Sequence, residues 1–240
     1  MNIYMMGDST MKQNNYYSYP QTGWGQVLYL FCKEDILVFD LAENGRSTKS
    51  YIAEGLFNKL LNKLQKGDYV ICEFGHNDEK YNDPNRYTEP FGEYQKNLLY
   101  FADEVTKKGA NIVFATPITR HKFIGSMVAN THGDYPKAML ELCNKYEYPC
   151  VDMTKLTMDL YNKLGEEKTK KFHMIFGKGK YENYMEGKDD HSHLRYKGAV
   201  EIAKLFVSDS EKQGLKISEC FIDLNGKGID ESEMLNDYHR

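Results

Sequence analysis

No stretch of the 240 residues is both long enough and apolar enough to cross a bilayer as a helix, so an integral membrane protein is not expected. Excess positive charge is also missing. The net charge is −4, whereas a nucleic-acid ligand calls for a concentrated basic face. Cysteine is scarce: Cys32, Cys72, Cys143, Cys150 and Cys220 are odd in number and form no CxxC pair. That pattern sets aside a disulfide framework and fits a reducing compartment. No signal peptide is visible before the first strand-like segment, so the expected location is cytoplasmic. Repeats, low-complexity tracts and an interdomain linker are likewise absent.

What is present is ordinary globular composition, 41% apolar and 28% charged, at a length that suits one α/β domain with a full core. Five short apolar runs read as buried parallel strands: Asn2–Met6, Ile36–Phe39, Tyr69–Phe74, Asn111–Ala115 and Pro149–Asp152. Helical periodicity lies between and after them. Ile52, Leu56, Leu60 and Leu64 recur at spacing four, Phe91 to Val105 follows more loosely, and Ala138–Tyr146 and Ala199–Phe206 add two more. The alternation predicts a three-layer α/β/α sandwich on a five-stranded parallel sheet with right-handed crossovers. Residues 1–217 form one expected domain and 218–240 a C-terminal extension packed on it or trailing from it.

Ligands in such folds bind beyond the carboxyl ends of the strands, near the point where strand order reverses. The segments there are Gly7-Asp8-Ser9-Thr10, Asn44-Gly45-Arg46-Ser47, Gly75-His76-Asn77-Asp78 and Thr116-Pro117-Ile118-Thr119-Arg120. Gly7-Asp8-Ser9 places a serine where backbone N–H groups gather at a helix start, although an ordinary glycine turn with a serine cap has the same sequence. Asn77 offers an amide donor toward Ser9, and an Asn/Asp turn is an equally good reading of the same residues. In Asp190-His191-Ser192-His193 an acid and an imidazole three residues apart can meet within one turn, and the carboxylate then fixes the imidazole tautomer. The alternatives are a solvated turn or a metal site on His191 and His193, for which no further ligand stands at a recognised spacing.

Serine, glycine, asparagine and Asp-x-x-His occur in one order, each at a strand end or before the last helix. In this the sequence resembles the SGNH (GDSL-type) hydrolases, whose four consensus blocks would here be Ser9, Gly45, Asn77 and His193. The resemblance implies a flavodoxin-like sheet and a Ser9–His193–Asp190 triad. It also implies an oxyanion hole built from the backbone N–H groups of Ser9 and Gly45 and the Asn77 amide. Gly23-Trp24-Gly25, residues 44–50, Thr116 to Arg120 and Thr131-His132-Gly133-Asp134-Tyr135-Pro136 look like rhamnogalacturonan acetylesterases of carbohydrate esterase family 12. That narrower resemblance implies removal of acetyl groups from pectin-type polysaccharides without a cofactor or a metal, and it spans most of the chain. Phe172–Lys188 and the last residues match no segment of that family.

Residues weighed for substrate contact are Asp8, Trp24, His76 and Arg46. Trp24 would stack on a sugar ring if exposed, and is otherwise a packing residue; Asp8 and Arg46 would otherwise brace loops. Asp223-x-Asn225 begins like a calcium loop, but Lys227 takes a ligand position, so a polar turn is expected. Two other functions compete with the acetylesterase: a general small-ester or acyl-thioester hydrolase, and a catalytically silent carbohydrate-binding module on the same fold. Oligomeric state is not legible.

Overall fold

A computed structural model of the chain describes residues 1–224. Its centre is a five-stranded parallel sheet of β1 (Asn2–Gly7), β2 (Leu37–Asp40), β3 (Tyr69–Glu73), β4 (Asn111–Ala115) and, after two short strands, β7 (Cys150–Val151), in spatial order β2–β1–β3–β4–β7. Outside it, β5 (Phe123–Ile124) pairs with β6 (Met127–Val128), and β8 (His173–Phe176) pairs antiparallel with β9 (Lys188–Leu194). All five expected strands are present, each within one residue of its expected ends.

These strands are unbroken apolar runs because both faces of the sheet are covered. Alternation then sorts their side chains. Ile3, Met5 and Ile71 turn toward Trp24, Ile202 and Phe206, while Tyr4, Met6 and Val70 turn toward Tyr51, Leu60 and Phe101. Phe101 and Phe206 have no exposed surface, and burying each stabilises the fold by about 1.5–3 kcal/mol.

On the second face lie α1 (Thr48–Ala53), α2 (Leu56–Leu61), α3 (Gln95–Lys107) and α4 (Tyr135–Tyr146). The spacing from Ile52 to Leu64 suggests one continuous helix. Instead Gly55, at φ +70°, ends the first and starts the second. A capping box opens α1, with Ser47 and Ser50 each accepting the other's backbone N–H. A turn of π-helix, Pro90–Tyr94, leads into α3, which buries Leu98, Phe101, Ala102 and Val105 along one stripe. The segments α5 (Met153–Leu164) and α6 (Glu166–Thr169) are unexpected, and α7 (Tyr196–Lys212) exceeds its apolar stretch at both ends.

No break in packing marks residue 217. The 3-10 segment Lys216–Cys220 runs across it, Cys220 and Phe221 are buried, and the Ile222 N–H donates to the Phe31 carbonyl at 2.9 Å. The loop beginning at Asp223 and Leu224 passes outside the described residues. All five cysteines are free thiols. Among the described residues no helix is long and apolar enough to cross a membrane.

Candidate active site

The chain leaves β1, crosses to β2 on one side and returns to β3 on the other, so order reverses between β1 and β3. Ser9 lies two residues beyond the end of β1, on a turn in which the Met11 and Lys12 N–H groups donate to the Asp8 carbonyl at 3.3 and 3.1 Å. Asp8 braces this turn from beneath: its Oδ1 accepts the Thr10 N–H at 3.0 Å and the Thr10 hydroxyl at 2.9 Å.

His193 comes to Ser9 from 184 positions away, with Nε2 2.9 Å from the Ser9 Oγ. Its Nδ1 lies 2.7 Å from Asp190 Oδ2. A carboxylate only accepts, so Nδ1 carries the hydrogen and Nε2 is left to accept the serine hydroxyl. Asp190 Oδ1 accepts the N–H groups of Ser192 at 2.9 Å and His193 at 3.0 Å. Burial pushes the Asp190 carboxyl upward, but the His193 ring and these N–H groups outweigh it and hold Asp190 well below the usual carboxylate range. It is therefore ionised at neutral pH. Both side chains are partly open, His193 at 29% and Asp190 at 19%, so a substrate can reach the imidazole.

The acid–base pair does not sit on the turn expected before the last helix. It lies on β9, in register with β8 but for a bulge between His173 and Met174. The unassigned stretch Phe172–Lys188 is thus largely the other arm of that ribbon and its loop. Arg120 steadies β9 from the side, its Nε donating to Ser192 Oγ at 3.1 Å, an NH1 to the Thr131 carbonyl at 3.1 Å, and NH2 to the Glu79 carboxylate. Glu79 also meets His132 Nδ1 at 3.0 Å.

Gly45 stands after β2 at φ +73°, a conformation that favours glycine. Asn77 follows β3, and its Nδ2 donates to the carbonyl of Arg46 at 3.1 Å, joining the glycine and asparagine loops. Asp78 strengthens the same joint by accepting the Thr48 N–H at 3.1 Å and the Thr48 and Thr88 hydroxyls at 2.6 and 2.8 Å. Burial pushes Asp78 up to about 7 in spite of those donors.

The four residues weighed for substrate contact do other work. Trp24 has no exposed surface; its ring packs 5.4 Å from Phe206 and its Nε1 donates to buried Glu73, so it cannot stack on a sugar. Asp8 is also fully buried. His76 is buried 4.4 Å from the His132 ring and 3.4 Å from Asp8, and burial lowers its pKa to about 4, which leaves it neutral. Arg46 spends its guanidinium on Glu54 and the Asn44 carbonyl, and meets the site through its own carbonyl. His191, the alternative metal ligand, sits on Asp189 and the His121 carbonyl. Among the described residues no group of three or more His, Cys, Asp or Glu could hold a metal ion. Sequence reasoning missed Arg86, Glu79 and the Arg120–Ser192 contact, although the turn signature Asp83-Pro84-Asn85 marked where Arg86 would be presented.

The chain is similar to known proteins over most of its length. A rhamnogalacturonan acetylesterase of Bacillus subtilis is 34% identical over 226 residues, covering 94% of this chain and 96% of the relative. One of Emericella nidulans is 25% identical over 236 residues, covering 90% and 87%. Among solved structures, the YxiM protein of Bacillus subtilis superposes with a TM-score of 0.75 at 25% identity, over 90% of this chain and 57% of that one. The acetylxylan esterase of Geobacillus stearothermophilus shares the fold with a TM-score of 0.61 at 15% identity, over 87% and 93%. The profile of GDSL-like lipases and acylhydrolases matches residues 3–206, from the first strand through most of α7, and with the serine–imidazole–carboxylate line it encloses, the chain belongs to that family of carboxylic ester hydrolases.

Proposed function

We propose that this protein is a serine esterase that removes O-acetyl groups from pectin-type, rhamnogalacturonan poly- or oligosaccharides. The observation that carries the reading is the unbroken line from Ser9 Oγ through His193 to the Asp190 carboxylate, at 2.9 and 2.7 Å. His193 Nε2 takes the hydroxyl proton as Ser9 Oγ bonds to the acetyl carbon. The tetrahedral intermediate collapses when the imidazolium returns that proton to the departing sugar oxygen, leaving acetyl on Ser9. Water then gives a proton to His193 as its oxygen bonds to the acetyl carbon, and the imidazolium returns that proton to Ser9 Oγ as the Oγ–acetyl bond breaks and the acid is released. Asp190 stays ionised throughout and steadies each imidazolium.

The oxyanion of both tetrahedral intermediates is received by the Ser9 and Gly45 N–H groups and Asn77 Nδ2. Support for that role is the bond from Asn77 to Arg46, which holds the amide beside the Gly45 loop. The sugar class rests on the relative named rhamnogalacturonan acetylesterase and a second named as a probable one, which align over 94% and 92% of this chain.

The test is acetate release from acetylated rhamnogalacturonan oligosaccharides beside hydrolysis of acetyl and octanoyl p-nitrophenyl esters, with Ser9→Ala as the control. Acetate release that vanishes in a folded Ser9→Ala protein is expected. A Ser9→Ala protein with the wild-type rate would end the serine mechanism. A preference for octanoyl esters with no release from the oligosaccharide would end the substrate assignment.

A further inference from the structure

Arg86 takes no part in the proton transfers above, yet its guanidinium reaches Asn77, one of the proposed oxyanion donors. The turn that presents it is pinned at both ends. Asp83 accepts the Asn85 N–H on its side chain at 3.1 Å and the Arg86 and Tyr87 N–H groups on its carbonyl at 3.0 and 2.8 Å. Thr88 is fixed by Asp78 and by the Tyr135 hydroxyl, which donates to its carbonyl at 2.6 Å. From this base Arg86 Nε donates to Asp83 Oδ2 at 2.6 Å and NH1 donates to Asn77 Oδ1 at 3.3 Å. The same NH1 lies 3.8 Å from where a β-carbon on Gly45 would stand. One cation therefore touches one of the three proposed oxyanion donors and overlies the residue that supplies another.

The contact decides which way the Asn77 amide points. Nδ2 faces the Arg46 carbonyl at 3.1 Å and Oδ1 faces the guanidinium. Flipping the amide would set its NH2 against the Arg86 N–H and its oxygen against the Arg46 oxygen, two repulsive pairs in place of two bonds. The terminal torsion of an asparagine is otherwise broad, so without Arg86 the amide would sample wider angles. Nδ2 carries two hydrogens, and Arg46 uses one. A donor aimed before the charge develops stabilises the transition state without reorganising, whereas one that must first turn does not. The guanidinium at Oδ1 also polarises the amide and strengthens its N–H as a donor.

We propose that Arg86 is a positioning residue, which by holding Asn77 Oδ1 aims the free Nδ2 hydrogen at the carbonyl oxygen of the bound ester. This rests on the reading of Asn77 as an oxyanion donor. A guanidinium that instead gripped the substrate would act on KM and would act whether or not Asn77 were present.

A double-mutant cycle with p-nitrophenyl acetate, a neutral ester without a sugar, separates these roles. Arg86→Met should lower kcat about 10- to 100-fold, less than outright removal of a donor, with KM within about twofold. In an Asn77→Ala background the same change should cost less than about threefold, because the group it positions is gone. Far-UV circular dichroism and melting establish that each variant is folded; Arg86→Gln replaces Arg86→Met in the cycle if the latter is not. Losses that multiply fully in the double variant, or a rise in KM with kcat intact, overturn the positioning role. If that happens while Ser9→Ala is inert, the esterase reading survives alone. Wild-type kcat in Asn77→Ala would overturn the donor role of Asn77 and this inference with it.

Discussion

Asp190 holds His193 at both ends, one carboxylate oxygen on the backbone N–H at 3.0 Å and the other on ring Nδ1 at 2.7 Å. Backbone and ring are thereby locked to the same carboxylate, and the ring can neither flip nor change tautomer without breaking that lock.

Asp190→Asn tests this. An amide can present NH2 to Nδ1, which favours the tautomer with hydrogen on Nε2 and removes the acceptor for Ser9. We expect kcat for p-nitrophenyl acetate to fall about 10⁴-fold with the fold intact. A loss of tenfold or less would mean that the carboxylate contributes little to proton transfer.

Trp24→Phe should weaken the fold and do so more at alkaline pH. Glu73 is fully buried, and besides Trp24 it has the Ile118 N–H at 3.1 Å and, at 3.2 Å, the Thr10 hydroxyl, whose one hydrogen is shared with Asp8. Burial and the neighbouring Asp8 push Glu73 up to about 8, against the bond from Trp24. An acid whose folded pKa is raised gives stability that is full below its unfolded value and is lost as pH rises through the folded one. Taking away the Trp24 donor raises that pKa further and leaves an ionised carboxylate short of a partner, at a cost of about 1–3 kcal/mol. Thermal melts should show a larger deficit at pH 9 than at pH 6, and equal deficits would refute the account.

His173 sets an acid-side slope. It is buried with Nε2 2.7 Å from the Tyr161 hydroxyl, and burial, helped by His121, lowers its pKa to about 3. A base lowered in this way gives stability that is full above its unfolded value near 6.5 and is lost as pH falls toward the folded value, at up to about 1.4 kcal/mol per pH unit. His173→Gln, which cannot take up the proton, should lose less stability than wild type between pH 7 and pH 5. Parallel curves would show that His173 is not the group responsible.

The central sheet was legible because two-sided burial writes itself as short apolar runs, as in Asn2–Met6 and Tyr69–Phe74. Helix boundaries were less so. Gly55 interrupts a leucine spacing that reads straight through it, since one left-handed residue outweighs periodicity. The ribbon strand Lys188–Leu194 holds a single apolar residue, Leu194, and pairs with β8 only through the tertiary fold, so no local pattern announced it.

Ser9, Asp190 and His193 could be named because residue type, order and strand ends coincide, and the structure brings all three within hydrogen-bond distance. Trp24 is the packing residue that its two flanking glycines allowed, and the reason is visible only in space. Its flanking glycines press on the nucleophile turn, where a β-carbon on Gly23 would stand 2.3 Å from the Lys12 carbonyl oxygen, so the ring between them is driven inward. For Arg86 the turn signature Asp83-Pro84-Asn85 marks a presented side chain but not its partner, which lies nine positions back across a loop whose path the sequence does not specify.

The imidazole and its carboxylate ride on a two-stranded ribbon outside the central sheet, while the serine follows a central strand. The ribbon is tied to its neighbours by the Thr22 N–H on the Leu194 carbonyl at 2.9 Å, the His121 N–H on the His191 carbonyl at 2.8 Å and the Arg120 side chain. A shift of about 1 Å between the two bodies is enough to stop proton transfer, and that is far less than is needed to open the core. Heat should therefore disarm the enzyme before it melts it. Ester turnover would fade in a temperature range where the sheet and its helices still stand, and return on cooling.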